Sequence, residues 1–305
     1  MNPYAQSAPN MGPPPGAPVP EPTDTSWIRR QFCDIPYGPA EANKFNVYLP
    51  NEGDGPFPTV VFIHGGAFSG GDRTDPQLRP FLELVKYGLA LVSVDHRLSG
   101  EVVFPEGLRD CAQALRFIRD NGYKWQLDTG KTGLLGNSAG GNFVLMLAAG
   151  QNAPILQPQE AGNGPVDVKC VVTWFAPTDF LACIEAFRQE TDPRVDTSIV
   201  HDDPYSPESV YLGGPILELD PAYVRSADPT SYITPELPAM LMQHGRLDHV
   251  VHWSQSKLFA DKANAVCGPG HVLLDILPEA DHADPAFETA ENMERVARFF
   301  QKHLL

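Results

Sequence analysis

Short runs of apolar residues alternate with stretches of helical periodicity along most of the chain. The apolar runs are rich in β-branched residues and are bounded by Gly, Pro or Asp, which is typical of strands. They lie at residues 44–49, 59–64, 89–94, 132–135, 171–175, 239–243 and 272–277. Strands that are apolar throughout and separated by helices favour a mainly parallel sheet that is covered on both faces. The predicted fold class is therefore α/β.

The clearest helical pattern runs over residues 108–121. Its apolar positions define one face, while arginines occupy the other, and the segment ends on Asn121-Gly122. The apolar face consists of Leu108, Cys111, Ala112, Leu115 and Ile118. Further helices are predicted at 139–149 and 286–305.

Two segments depart from this alternation. Residues 1–25 are rich in proline and poor in apolar side chains, so they are predicted to form a disordered tail. Residues from about 180 to 235 contain seven prolines and no convincing strand, which predicts a lid-like insertion over the sheet. Residues 26–305 are then expected to form one domain.

The charge of the chain excludes one class of partner. It has 22 lysines and arginines against 38 aspartates and glutamates, a net charge of −16. A polyanion such as DNA or RNA would be repelled, so no nucleic acid partner is expected. No apolar run is long enough to span a membrane, and the first residues lack the pattern of a secretory signal. A cytoplasmic location is expected, or a secreted one if a signal segment has been removed.

The cysteines do not indicate a metal site or a disulfide framework. There are five, widely spaced, without a CxxC pair, and they are predicted to be reduced and mostly packed. A metal site is not expected either, because the acidic segment around His282 has no partner ligands at a readable spacing.

A serine at a sharp turn is the first candidate for a catalytic residue. Gly136-Asn137-Ser138-Ala139-Gly140 stands between a predicted strand and a predicted helix, the context of the G-x-S-x-G motif. A serine hydroxyl is a weak nucleophile, and this turn presents it to a base on one side and to a carbonyl carbon on the other. Upstream, a second apolar strand runs into the glycine turn His64-Gly65-Gly66. The two motifs together indicate acyl-transfer chemistry.

This pairing of motifs resembles the α/β-hydrolase superfamily. Within it, the chain is similar to the esterase and lipase branch close to feruloyl and acetyl-xylan esterases and related to hormone-sensitive lipase. Shorter similarities lie at residues 94–99, 104–105, 110, 206–209 and 212–214. The resemblance extends from about residue 40 to the C-terminus, and it implies an α/β-hydrolase fold with a mainly parallel central sheet flanked by helices.

The chain order of that fold then predicts the catalytic residues. The order is Ser, then Asp or Glu, then His, with the acid after a late strand and the base after the last one. Ser138 is the expected nucleophile, Asp248 the acid and His282 the base. Asp179, which follows an earlier strand, is the main rival acid, although a role in capping a helix is the better reading. The other eight histidines are expected to be packing, loop or surface residues.

The resemblance also implies an oxyanion hole formed by backbone N–H groups. The expected donors are Gly66, Ala67 and Ala139, the last at the start of a helix. The family often has a third glycine where this chain has Ala67, but only the N–H of that residue is needed. The candidate aromatic lining residues of the pocket are Trp174, Phe175, Phe180, Phe187 and Tyr211. For any single one of them, packing in the core is the better reading.

The expected function is that of a serine carboxylester hydrolase. It would act through an acyl-enzyme intermediate on small-molecule esters with small or aromatic acyl groups of the feruloyl or acetyl type, without a cofactor or a metal. Two alternatives stay open on the sequence. One is an amidase similar to kynurenine formamidase, and the other is a non-catalytic binding protein on the same fold.

Overall fold

A single sheet organises the chain. The computed structural model describes residues 21, 23–150, 153–156, 164 and 167–305. The strands of this part are β1 (Gln31–Pro36), β2 (Lys44–Tyr48), β3 (Phe57–Ile63), β4 (Ala90–Val94), β5 (Leu127–Asn137), β6 (Val168–Trp174), β7 (Ala239–Gly245) and β8 (Val272–Leu277). Within the described residues, these eight strands form one sheet in the order β1-β2-β4-β3-β5-β6-β7-β8.

The sheet is mainly parallel, as the sequence predicts. Strands β3 to β8 run parallel to one another, while β2 is antiparallel to both β1 and β4. Each predicted strand is present, β8 with the predicted ends and the others with shifted ends, and β1 was not predicted. Strand β1 lies at the sheet edge with mostly exposed side chains, so it lacks the apolar run that marks the others.

Seven α-helices occur among the described residues, six between strands and one after the last strand. They are α1 (Glu106–Asn121), α2 (Ser138–Ala149), α3 (Phe180–Gln189), α4 (Pro207–Leu212), α5 (Pro221–Arg225), α6 (Ser254–Cys267) and α7 (Ala290–Leu304). Short 3-10 helices lie at Pro76–Leu78, Pro80–Tyr87, Gly122–Trp125, Pro154–Leu156, Pro229–Tyr232 and Pro285–Glu288. No helix among the described residues is long and apolar enough to cross a membrane.

The predicted C-terminal helix over 286–305 is divided in two. A 3-10 turn at Pro285–Glu288 comes first, and α7 then begins after Thr289, whose hydroxyl accepts from the N–H of Asn292. A threonine in extended conformation at that point satisfies a free helical N–H and starts a new helix. Helix α6 was not predicted, because its apolar residues form no clear stripe and its buried face includes Gln255 and Ser256.

The strands are apolar throughout because helices cover both faces of the sheet. Val61 and Ile63 of β3 pack into one core with α1, α2 and α6. Val60 and Phe62 of the same strand pack into a second core, with the 3-10 helix at residues 80–87 and with α7. Successive side chains of a strand point to opposite faces, so a strand buried on both sides needs apolar residues at every position.

The loops that follow the parallel strands lie at one edge of the sheet. The carboxyl ends of β3, β5, β7 and β8 are followed by the glycine turn, by Ser138, by Asp248 and by His282, respectively. Because parallel strands end at the same edge, these four segments meet although they are far apart in sequence.

The predicted tail lies largely outside the described residues, which begin at Glu21. Of its last residues, Thr23 is buried, and its backbone N–H donates to the carbonyl of Thr74 at 3.0 Å. The described chain therefore packs against the domain from Thr23 onward.

The segment 180–235 is helical and contains no strand. Its position is held in part by Asp228, which is almost fully buried and accepts from the N–H of Phe180 at 2.9 Å. Its second oxygen has no hydrogen-bond partner among the described residues. Burial raises the pKa of Asp228 from 3.8 to about 8. A carboxyl group that is costly to ionise thus sits where this segment begins at α3.

Substitution Asp228→Asn should change how stability depends on pH. Between about pH 4 and pH 8 the folded protein holds a proton that the unfolded chain has released, so rising pH lowers the free energy of unfolding. The slope approaches about 1.4 kcal/mol per pH unit. Asparagine does not titrate, so the stability of the variant relative to the wild type should increase from pH 5 to pH 8. Urea unfolding at both pH values measures this, and an equal difference at the two would contradict it.

Candidate active site

Ser138 stands at a crowded turn between β5 and α2. Its φ of +50° is in the left-handed region, which is uncommon for a residue with a side chain. A Cβ at Gly136 would lie 2.3 Å from the carbonyl oxygen of Gly140, and one at Gly140 would lie 2.1 Å from that of Ile63. Both glycines are therefore required for the backbones to approach this closely. The turn leaves the Ser138 hydroxyl half-exposed at the edge of the sheet.

The imidazole of His282 lies between Ser138 and Asp248. Its Nε2 is 3.1 Å from the Ser138 hydroxyl, and its Nδ1 is 2.8 Å from Oδ2 of Asp248. Because a carboxylate accepts, Nδ1 carries the hydrogen and Nε2 is left to receive a proton from the serine. The ring packs against Phe175, with centroids 4.4 Å apart. The structure thus brings together all three residues that the chain order suggested.

Asp248 is fully buried, and its carboxylate faces four donor groups. Oδ1 accepts from the N–H groups of Val250 and Val251 at 2.9 and 2.7 Å. Oδ2 accepts from His282 and lies 3.2 Å from Nε2 of His244. Burial alone would raise the pKa of Asp248, but the nearby His282 and the hydrogen bonds from both histidines outweigh it and lower the pKa. The carboxylate is therefore kept ionised in a dry environment.

His244 is a neighbour of the acid that the sequence analysis assigned to packing. Its Nε2 donates to the carbonyl of Val251 at 2.8 Å, and Nδ1 accepts from the hydroxyl of Ser256 at 2.7 Å. Since a carbonyl only accepts, this pairing assigns the hydrogen to Nε2, which also faces Asp248. A signal for this role was available in the sequence, because His244 lies near the end of β7, only four residues before Asp248.

Asp281 holds the loop that carries His282. Its Oδ1 accepts from the backbone N–H of His282 at 2.6 Å and lies 2.7 Å from Nδ1 of His249. The same oxygen also accepts from the N–H of His249 at 3.1 Å. These bonds join the loop after β8 to the loop after β7 and so fix the imidazole relative to its acid.

The glycine turn after β3 lies next to the nucleophile. The N–H of Gly65 donates to the side chains of Gln77 and Asn137, both at 3.0 Å. Gly66 has a φ of +121°, and a Cβ there would lie 2.2 Å from the carbonyl oxygen of Gly70. No other residue type could replace Gly66 without moving this turn.

Two of the predicted oxyanion donors line the same small cavity as Ser138. These are Ala67, which has a φ of +52°, and Ala139, which lies in the first turn of α2. Backbone N–H groups in the first turn of a helix have no intrahelical partner, so that of Ala139 is available to a ligand. Gly66 is not among the residues that line the cavity.

The cavity at Ser138 has a volume of about 30 Å³. It is lined by Ala67, Phe68, Ser138, Ala139, Pro177, Ile199, His201, Pro207, Glu208, Val250 and Val251. A larger groove of about 740 Å³ lies between β8 and α7, and none of the predicted site residues lines it. The smaller cavity, and not this groove, therefore lies next to the predicted nucleophile.

The five aromatic residues expected to line the pocket do not line this cavity. All five are buried, and Phe180, Phe187 and Tyr211 pack against residues that do. Tyr211 stacks on Phe68 with centroids 4.0 Å apart, and Phe187 stacks on His201 at 4.8 Å. Core packing, which is the better reading of each from the sequence, is therefore the role of all five, because a large aromatic side chain gains most from full burial. Phe68, His201 and Glu208 were missed as lining residues.

The rival acid Asp179 has a structural role. One of its oxygens accepts from the N–H of Ala182 at 3.0 Å, so it caps the N-terminus of α3. Thr230 donates to the other oxygen at 3.4 Å. The imidazole of His282 is paired with Asp248 instead.

No group of three His, Cys, Asp or Glu side chains suited to a metal ion occurs among the described residues.

His64 and His96 stack face to face beneath the glycine turn, with centroids 4.7 Å apart. Nδ1 of His64 donates to the carbonyl of Gly65, and burial lowers the pKa of His96 to about 3. All five cysteines are unpaired, and three of them are buried.

Comparisons with known proteins identify the family of the chain. Residues 45–263 match the family model described as BD-FAE. The chain is 27% identical over 258 residues to the esterase LipQ of Mycobacterium tuberculosis. That match covers 83% of this chain and 57% of the relative. The chain therefore spans little more than half the length of this curated relative.

Two solved structures have the same fold. One is a truncated carbohydrate esterase from gut microbiota, with a TM-score of 0.77, 21% identity, and coverage of 93% of this chain and 99% of that one. The other is a bifunctional GH43-CE protein of Bacteroides eggerthii, with a TM-score of 0.75 and 26% identity. It matches 90% of this chain and 35% of its own.

Substitution Gly140→Ala should destabilise the protein strongly. The added methyl group would meet the carbonyl oxygens of Ile63 and His64 at 2.1 and 2.5 Å, and both belong to backbone that cannot turn away. The expected loss in the free energy of unfolding is about 2 kcal/mol or more. Gly100→Ala is the matched control, because a Cβ there meets nothing within 4 Å. Thermal unfolding of the two variants compares them, and similar melting temperatures would refute the crowded turn.

Proposed function

Because the chain belongs to the BD-FAE family of α/β-hydrolases, we propose that it is a serine carboxylester hydrolase acting through an acyl-enzyme intermediate. One observation carries the proposal. The hydroxyl of Ser138, the imidazole of His282 and the carboxylate of Asp248 form a continuous hydrogen-bonded chain, with steps of 3.1 and 2.8 Å. Names such as esterase and carboxylic ester hydrolase among the relatives support the same chemistry.

In the first half of the reaction, Ser138 attacks the carbonyl carbon of the ester. Nε2 of His282 takes the hydroxyl proton as the new C–O bond forms. The buried carboxylate of Asp248 stabilises the resulting imidazolium and keeps the ring in the correct tautomer. His282 then gives the proton to the departing alcohol, and the acyl group remains on Ser138.

The negative charge that develops on the carbonyl oxygen needs donors that are already in place. Ala67 and Ala139 line the cavity beside the nucleophile, and their backbone N–H groups are the proposed donors, while Gly66 gives the turn its shape. Fixed backbone dipoles of this kind stabilise the transition state without reorganising during the reaction. A water molecule activated by His282 then attacks the acyl-enzyme and releases the acid by the reverse sequence of proton transfers.

The size of the cavity favours short acyl groups. Its volume of about 30 Å³ is small beside the roughly 300–1,000 Å³ of pockets that hold drug-sized ligands. A short acyl group therefore fits this space more readily than a hydroxycinnamoyl group. Esters of small acyl groups are therefore the proposed substrates.

Substitution Ser138→Ala should abolish hydrolysis of p-nitrophenyl acetate and p-nitrophenyl butyrate at neutral pH. Removal of the nucleophile is expected to lower kcat by roughly 10⁶-fold, to the background of the assay. The matched control is Ser231→Ala, which removes a hydroxyl that bonds only to the carbonyl of Arg225 on the exposed surface. Equal rates in wild type and Ser138→Ala would rule out the proposed nucleophile, and labelling by a serine-directed phosphonate should identify Ser138 independently.

Substitution Asp248→Asn should lower kcat far more than Asp179→Asn. Asparagine at 248 would leave the imidazolium without its counter-charge and favour the wrong tautomer, at an expected cost of roughly 10³- to 10⁴-fold. Asparagine at 179 still caps a helix well, so an effect below about tenfold is expected there. The measurement is kcat for p-nitrophenyl butyrate, with circular dichroism to check folding. A larger loss from the change at 179 would reverse the assignment of the acid.

A further inference from the structure

A buried polar pair shares the cavity with Ser138 and has no part in the proposed mechanism. His201 and Glu208 both line that cavity, and their side chains are only 4% and 13% exposed. Nδ1 of His201 lies 3.2 Å from Oε1 of Glu208. The remaining cavity lining from the same segment, Ile199 and Pro207, is apolar.

Each member of this pair keeps one heteroatom without a partner. Among the described residues, nothing bonds to Nε2 of His201 or to Oε2 of Glu208, although both atoms are buried. More than nine in ten buried polar groups in proteins are hydrogen-bonded, so two such atoms beside one cavity indicate a missing partner. The cavity that both residues line is where that partner would bind.

The pair is held in a defined orientation before any ligand arrives. The ring of His201 stacks on Phe187, with centroids 4.8 Å apart and planes within 10° of parallel. Glu208 lies in the first turn of α4, where Ser206 caps the helix by accepting from the N–H of Ser209 at 3.2 Å. Rigid groups of this kind discriminate between ligands because they cannot adapt to the wrong one.

The free atoms define the chemistry of the partner. A carboxylate accepts hydrogen bonds, so Oε2 of Glu208 requires a donor. Nδ1 of His201 carries the hydrogen shared with Oε1, and Nε2 presents a lone pair, or an N–H when the ring is protonated. With the ring protonated, one hydroxyl group accepts from Nε2–H and donates to Oε2. With the ring neutral, both atoms are acceptors, and two neighbouring hydroxyl groups supply the two donors. An alkyl group would leave both buried atoms unpaired.

We propose that His201 and Glu208 form a subsite for a hydroxyl group of the substrate, and that the protein acts on hydroxylated esters in preference to plain alkyl esters. This inference rests on the proposed function, since it names the substrate class of the same site. The pair acts on specificity by contact with the substrate and takes no part in bond making.

The test compares esters that differ by hydroxyl groups. Glycerol 1-butyrate and propyl butyrate place the difference on the alcohol, while ethyl 3-hydroxybutyrate and ethyl butyrate place it on the acyl group. The readout is the ratio of kcat/KM within each pair, measured by titration of the released acid. A site built around a hydroxyl rejects the analogue that lacks it, so the wild type should prefer the hydroxylated member of one pair by at least roughly 100-fold.

Two variants attribute that preference to the pair. In His201→Phe/Glu208→Leu both polar partners are removed together, and the phenyl ring can still stack on Phe187, so the ratio should fall to about one. Glu208→Gln keeps one acceptor and should give an intermediate ratio. Asp202→Asn is the matched control, because it removes a carboxylate next to His201 that pairs with Arg188 outside the cavity. That control should keep the wild-type ratio, and circular dichroism checks that all variants fold.

The outcomes separate this inference from the proposed function. A ratio near one in the wild type for both pairs, with Ser138-dependent hydrolysis of all four esters, would overturn the hydroxyl subsite and leave the esterase standing. A high ratio that persists in the double variant would remove His201 and Glu208 from the assignment. Failure of the folded wild type to hydrolyse any of the esters would overturn both proposals.

Discussion

The close approach of three backbone segments at Ser138 is the constraint on which the rest of the site depends. The end of β3, the end of β5 and the first turn of α2 come so near that a single methyl group at Gly136 or Gly140 would overlap a carbonyl oxygen. This crowding holds the serine at a positive φ and presents its hydroxyl outside the sheet. The same approach brings the glycine turn beside the start of α2, where the proposed oxyanion donors lie. A looser turn would separate the nucleophile from both.

The buried carboxylate of Asp248 shows how the fold stabilises a charge in the interior. Two backbone N–H groups and two imidazoles surround it, so each lone pair of the carboxylate faces a donor. His244 is itself fixed by Val251 and Ser256, and its hydrogen is committed to the side facing Asp248. An isolated buried carboxylate would take up a proton, whereas one with this many donors stays ionised. The proposed role of His282 depends on that charge.

The small cavity is lined by both polar and apolar side chains. Its apolar lining suits a short acyl group, yet the segment 180–235 adds a histidine and a glutamate with unsatisfied atoms. The aromatic residues of that segment lie behind the residues that line the cavity and fix the orientation of those residues. Specificity in such a site depends on a few polar atoms held against a rigid background, and less on the total area of contact.

Patterns that are local in sequence were predictable. The strands of the central sheet, helices α1 and α2 and the turn at Ser138 depend on nearby residues, because burial on both faces and sharp turns restrict the residue types allowed. Chain order also identified Asp248 as the candidate acid and His282 as the candidate base. The edge strand β1 and helix α6 were missed, since neither has a strong apolar pattern.

The tertiary structure decided what depends on contacts between distant segments. It selected Asp248 over Asp179 as the partner of His282, placed His244 behind the acid, and moved the aromatic residues out of the cavity. His201 and Glu208 became neighbours of Ser138 only because the segment that carries them folds back over the sheet edge. The sequence by itself determined the fold class, the strained turn and the candidate chemistry, since these follow from periodicity and from steric limits within a few residues. Which side chains share the cavity is a matter of packing in three dimensions, and no short stretch of sequence records it.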